Sequence, residues 1–133
     1  MTNIASSLNY KWINKEKEGP VLLFLHEGLG SIKQWKDYPD LLCEEVNLSG
    51  LLYDRQGHGK SPALSEERDE TYLEKYALEE LPAFLSHINL TRDLILIGHS
   101  DGGTIALIYA SKFPKQVKGI ITEAAHIYVE PIT

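Results

Sequence analysis

Short apolar runs recur along this chain, separated by stretches whose apolar positions follow a helical spacing. Four runs stand out: Val21–Leu25, Leu48–Tyr53, Leu94–Ile97 and Val117–Ile121. Each is rich in Leu, Ile or Val and continuous rather than alternating, the pattern of a strand covered on both faces in a parallel sheet. Leu8–Ile13 is polar and alternating, and reads as an antiparallel edge strand ahead of them.

Three helical stretches fill the intervals. Pro39–Val46 places Leu41, Leu42 and Val46 on one side, with its proline in the tolerant first turn. Thr71-Tyr72-Leu73-Glu74 has the form of a capping box, and the apolar line after it runs Leu73, Ala77, Leu81, Phe84, Leu85 and Ile88. Pro82 is expected to kink that helix, because it cannot donate to the Leu78 carbonyl. Thr104–Phe113 turns Ile105, Ile108, Ala110 and Phe113 inward and stops at Pro114. Strand and helix alternate, so the expected fold class is α/β. It is a mostly parallel central sheet with helices on both faces, as one domain over residues 1–133.

Composition acts here by exclusion. The chain is 43% hydrophobic and 24% charged, which suits a globular protein. A formal net charge of −6 leaves no basic stripe for phosphates, so nucleic acid is not an expected partner. No apolar stretch reaches the length of a membrane span, and Met1–Asn14 lacks the pattern of a signal peptide, so no membrane partner is expected either. The single cysteine, Cys43, cannot form an internal disulfide; it reads as a small buried hydrophobe, and the expected location is cytoplasmic. Metal-ligand spacing is absent, so no metal is expected.

Chemistry concentrates where the four runs end. In a parallel sheet, ligands gather at the carboxyl ends of the strands. Those ends carry His26-Glu27-Gly28-Leu29-Gly30-Ser31, then Asp54-Arg55-Gln56-Gly57-His58-Gly59, then Ser100, then Glu123–His126. Gly98-His99-Ser100-Asp101-Gly102 lies between a strand and a helix, the setting of a nucleophile elbow, in which a sharp turn leaves a serine hydroxyl exposed. Acyl transfer by Ser100 needs main-chain amides aimed at the developing oxyanion. Asp101, next after the serine, offers one, and Gly28 in the Gly-rich loop is the expected second. His26, Glu27, Leu29 and His126 are the expected substrate contacts, His126 also as a base.

Asp54–Ser61 superficially matches a phosphate-binding P-loop. It lacks the first glycine, and Pro62 follows where a helix should open, so it reads as a structural turn with Asp54 and Arg55 bonded to neighbouring loops. His99 should point away from the serine hydroxyl and pack. His58 and His87 read as loop and helix-end residues. The Asp101 side chain has two readings. It either faces the pocket and favours substrates with a positive charge near the scissile bond, or it serves as an acid in the first helical turn.

His26–Ser31, Tyr53–Ser61 and Gly98-His99-Ser100-Asp101-Gly102-Gly103, in that order and spacing, resemble the α/β-hydrolase superfamily. The nearest branch holds valacyclovir-hydrolase-like esterases and carbon–carbon bond hydrolases. The resemblance runs from about Tyr10 to Glu130 and implies hydrolysis of a small-molecule ester, amide or related acyl substrate. It implies Ser100 as nucleophile and no cofactor. Glu27 stands where the family usually has glycine. The family's acid, its triad histidine and its cap follow later strands, and have no counterpart before Thr133. The chain therefore resembles the N-terminal part of a hydrolase, and these residues alone are expected to be nearly inactive. An unpaired apolar edge at Val117–Ile121 is expected to promote self-association. The alternative reading is a non-catalytic binding or self-assembling module on the same fold.

Overall fold

The computed structural model describes residues 5–64 and 69–125. Its five strands are β1 (Tyr10–Ile13), β2 (Val21–Leu25), β3 (Ser49–Tyr53), β4 (Leu94–His99) and β5 (Val117–Glu123). They form one sheet in the order β1-β3-β2-β4-β5. β1 runs antiparallel to β3, with Tyr10 opposite Tyr53, and the other pairings are parallel. The expected α/β architecture, including the antiparallel edge strand, is thus present. β4 and β5 continue past their apolar runs because the ladder carries on to His99 opposite Glu123.

β2 shows why the runs are continuous. Its residues alternate between faces, with Val21, Leu23 and Leu25 in one core and Leu22 and Phe24 in the other. Both faces are covered, so no position along it can be polar. Helix α1 (Tyr38–Val46) covers the second core. Helices α2 (Tyr72–Lys75), α3 (Leu81–His87) and α4 (Asp101–Lys112) lie against the first. Ile105 is fully buried in α4, and Ile108, Ala110 and Phe113 pack beside it, as the spacing predicts.

Three local expectations need correction. In α1 the buried residues are Pro39 and Cys43, with Leu42 beside them, while Leu41 and Val46 face outward. Gly50 of β3 lets Cys43 approach until a methyl group there would sit 2.5 Å from its sulfur, and that contact turns the helix. Thr71 does precede a helix, but it makes no side-chain cap; its hydroxyl donates to Asp69 (2.6 Å), which also takes the Thr71 amide and Lys75. Pro82 does not interrupt a regular helix, as the expected kink assumed, but stands in the first turn of α3. The chain widens into a π turn over Tyr76–Glu80, where the Leu81 amide donates to the Tyr76 carbonyl, so the donor that Pro82 lacks is absorbed upstream.

Ile120 and Ile121 are exposed on β5, and no described strand pairs with its outer edge. Among the described residues no helix is long and apolar enough to cross a membrane.

Candidate functional site

β4 ends at His99 and α4 begins at Asp101, so the whole reversal from strand to helix falls on Ser100. Its backbone sits at φ 53°, ψ −116°, a region that favours glycine. The Ser100 amide donates to the Glu123 carbonyl (2.7 Å), and its carbonyl accepts from the Gly103 and Thr104 amides. Among the described residues nothing hydrogen-bonds its hydroxyl, and the residue is partly exposed. A Cβ on Gly98 would lie 2.5 Å from the Gly102 carbonyl carbon, so the turn closes because Gly98 has no side chain, while the bare Gly102 lets α4 approach the end of β2.

The loop after β2 runs beside this turn. Gly28 lies so near the elbow that a Cβ on it would be 2.6 Å from Asp101 Oδ2. The same oxygen accepts from the Tyr72 hydroxyl (3.1 Å). Asp101 therefore belongs to the first turn of α4 and also reaches across to the loop. Leu29, at the loop tip, is 93% exposed.

His26 is buried, which corrects the expected substrate role. It is 1% exposed, and both ring nitrogens are committed. Nε2 accepts from the Arg55 amide (3.1 Å), which leaves the proton on Nδ1 to donate to the Glu27 carbonyl (2.7 Å). Burial, reinforced by the Arg55 charge, pushes its pKa down to about 3, so His26 is a neutral spacer under the loop.

The described partners of Glu27 are Gln34 and His99. Its Oε1 accepts from Gln34 (2.9 Å), and its Oε2 lies 3.4 Å from His99 Nδ1. His99 Nε2 is 3.6 Å from Glu123 Oε1. The packing role expected of His99 is replaced by a place between two carboxylates. The parallel register sets Glu123 opposite it, and the side chain stays 39% exposed. His126 lies outside the described residues.

The turn after β3 is structural, as its sequence implies. Asp54 accepts from the amides of Ile32 (2.7 Å) and Lys60 (3.0 Å) and from Asn9 (2.9 Å). Arg55, 1% exposed, sends Nη1 to the His26 carbonyl (2.6 Å) and Nη2 to the Glu27 carbonyl (3.1 Å). His58 Nε2 meets the Gly28 carbonyl at 2.7 Å. Behind them the Glu80 carboxylate accepts from the Gln56 amide (3.3 Å), and the Tyr76 hydroxyl donates to the Gln56 carbonyl (2.7 Å). Sequence reasoning missed Tyr72, Tyr76 and Glu80. The one available signal was a glutamate on the apolar side of its helix. Among the described residues no cluster of three or more His, Cys, Asp or Glu could hold a metal.

Burial raises the Glu80 pKa from 4.5 to about 7. The folded protein therefore holds a proton that the unfolded chain has already lost between those values. Stability should fall as pH rises through that window, by about 3 kcal/mol once it is passed. Glu80→Gln, which never ionises, is expected to flatten this dependence. Urea unfolding at pH 5 and pH 8 checks it, and parallel pH profiles for the two proteins would refute it.

A family model described as alpha/beta hydrolase fold matches residues 20–131. The chain belongs to that family. Among curated α/β hydrolases, the proline iminopeptidase of Lactobacillus crispatus (strain ST1) is 33% identical over 113 residues, covering 84% of this chain and 38% of that protein. The proline iminopeptidase of Thermoplasma volcanium is 34% identical over 114 residues, covering 84% and 37%. Among solved structures, a thermophilic esterase from Thermogutta terrifontis matches with a TM-score of 0.76 and 26% identity, over 93% of this chain and 43% of that one. The chain thus spans less than half the length of these α/β-hydrolase relatives.

Proposed function

We propose that the protein is a serine hydrolase in which Ser100 attacks the carbonyl of an ester or amide. The amides of Gly28 and Asp101 receive the oxyanion. The observation that carries this reading is the glycine-like backbone of Ser100 at the strand-to-helix turn, with a hydroxyl that no described residue hydrogen-bonds and with its neighbour Asp101 against Gly28. Attack forms a tetrahedral intermediate whose negative oxygen needs two N–H donors. Collapse expels the alcohol or amine, and water then releases the acyl group. Ser100 needs a base to take its proton. His26 and His58 are bonded to loop carbonyls, His99 faces carboxylates and His87 ends α3, so we assign the base outside the described residues, where His126 is the sequence's own candidate.

The test is a fluorophosphonate probe on the longest natural form of the protein, with the adduct mapped by mass spectrometry. An adduct on Ser100 is expected. No adduct, or one elsewhere, removes the reading and leaves the non-catalytic module.

For substrate class we read a positively charged nitrogen near the scissile carbonyl, because the Asp101 carboxylate overlies Gly28. The proline iminopeptidase relatives are consistent with this. Asp101→Asn is expected to lower the preference for an amino-acid ester over its uncharged analogue by about tenfold, the loss of one charged hydrogen bond. An unchanged preference in steady-state kinetics would return Asp101 to a purely helical role.

A further inference from the structure

The Asp54–His58 segment has so far explained only its own turn, yet three of its contacts end on consecutive carbonyls of another loop. We propose that this segment is a clamp that fixes the direction of the Gly28 amide, with Arg55 and His58 as positioning residues. The proposal deepens the hydrolase reading above, since that reading gives the amide its purpose.

In a planar trans peptide, the N–H of one residue points opposite to the carbonyl of the residue before it. The described residues contain no cis peptide. The Glu27 carbonyl is drawn inward by three donors: Arg55 Nη2 (3.1 Å), His26 Nδ1 (2.7 Å) and the Gly30 amide (3.0 Å). The Gly28 N–H must therefore point away from the buried guanidinium. Gly28 itself borders the elbow, with Asp101 Oδ2 2.6 Å from its Cβ position.

A glycine flanked by free peptides would flip easily. A flip of the Glu27–Gly28 peptide would present a carbonyl oxygen where an oxyanion requires a donor. The contacts on either side oppose this flip. Arg55 Nη1 holds the His26 carbonyl at 2.6 Å, and His58 Nε2 holds the Gly28 carbonyl at 2.7 Å. Arginine suits the place because its rigid planar fork offers two donors in fixed directions to two successive acceptors, whereas a lysine ammonium is a compact charge with rotating donors. Its own position is set from behind, by the Tyr76 ring 5.3 Å away and by the Tyr76 and Glu80 bonds to Gln56. The π turn supplies both of those side chains.

The test measures one-bond N–H residual dipolar couplings in 15N-labelled wild type, Arg55→Met and Arg55→Lys. In wild type, the Glu27 and Gly28 couplings should fit the orientation given by the clamp. Arg55→Met keeps the bulk and loses the donors, so its Gly28 coupling should fall at least twofold as the peptide averages. Arg55→Lys should give an intermediate value. Unchanged couplings in β2 and β4 show that the fold survives. If the Met variant does not fold, the Lys variant and His58→Ala carry the test. Gly28 couplings equal to wild type in every folded variant would overturn the clamp. Fluorophosphonate labelling of the longest natural form and of its Arg55→Met variant separates the two claims. In Arg55→Met it should slow by about a hundredfold, the effect of losing one oxyanion donor. Equal rates in both proteins overturn the clamp's purpose. Wild-type couplings as expected with no labelling at all uphold the clamp and sink the hydrolase reading.

Discussion

In the longest natural form, exchanging Ser100 for alanine is expected to cut the proposed ester or amide turnover by about a millionfold, the scale seen when a hydrolase loses its nucleophile. Stability should stay where it was. Exchanging the same residue for glycine should cut turnover as far and raise stability by about 1–3 kcal/mol, the cost of holding a side chain in a sparsely populated backbone region. The difference lies in φ 53°, ψ −116°, which alanine tolerates no better than serine and glycine adopts freely. Turnover reports the hydroxyl, and denaturant unfolding of the two variants reports the strain. Retained turnover in the alanine protein would put the nucleophile elsewhere. Equal stability of the two variants would mean that the bend is not strained.

That bend was legible in the sequence because local pattern and local chemistry agree there. The apolar run Leu94–Ile97, the small residues around Ser100 and the helical spacing after it each point to the same turn. The strands were legible for a similar reason, since a run buried on both faces must be apolar at every position, as in β2. The misplaced features depend on partners far along the chain. Arg55 and His26 touch across 29 residues of sequence, and nothing in either segment names the other. The sense in which α1 is turned depends on the absence of a side chain at Gly50, a property of a different element. His99 was expected to pack. Its neighbours were not foreseen, because Glu123 comes opposite only through a strand register. Long-range contacts of this kind build the floor of the site, whereas its rim can be read from short motifs.

The stability of the fold should hinge on one small residue of that rim. Gly102→Ala is expected to destabilise the protein by about 3 kcal/mol or more, at the upper end of what overpacking costs. A Cβ at 102 would come 2.5 Å from the Leu25 carbonyl carbon and 2.6 Å from the His26 oxygen, and closer still to the Leu25 oxygen. These are main-chain atoms at the end of β2, a strand paired on both sides by β3 and β4. They cannot retreat without breaking a ladder, so α4 would have to lift and carry the elbow with it. Gly30 provides the contrast. A Cβ there would meet the Gln34 and Glu27 side chains, whose flexible ends can turn aside. Gly30→Ala should therefore cost under about 1 kcal/mol. In thermal unfolding the two variants should differ by about 10 °C in Tm. Coinciding melting curves would mean that α4 does not press on β2 as closely as the structure places it.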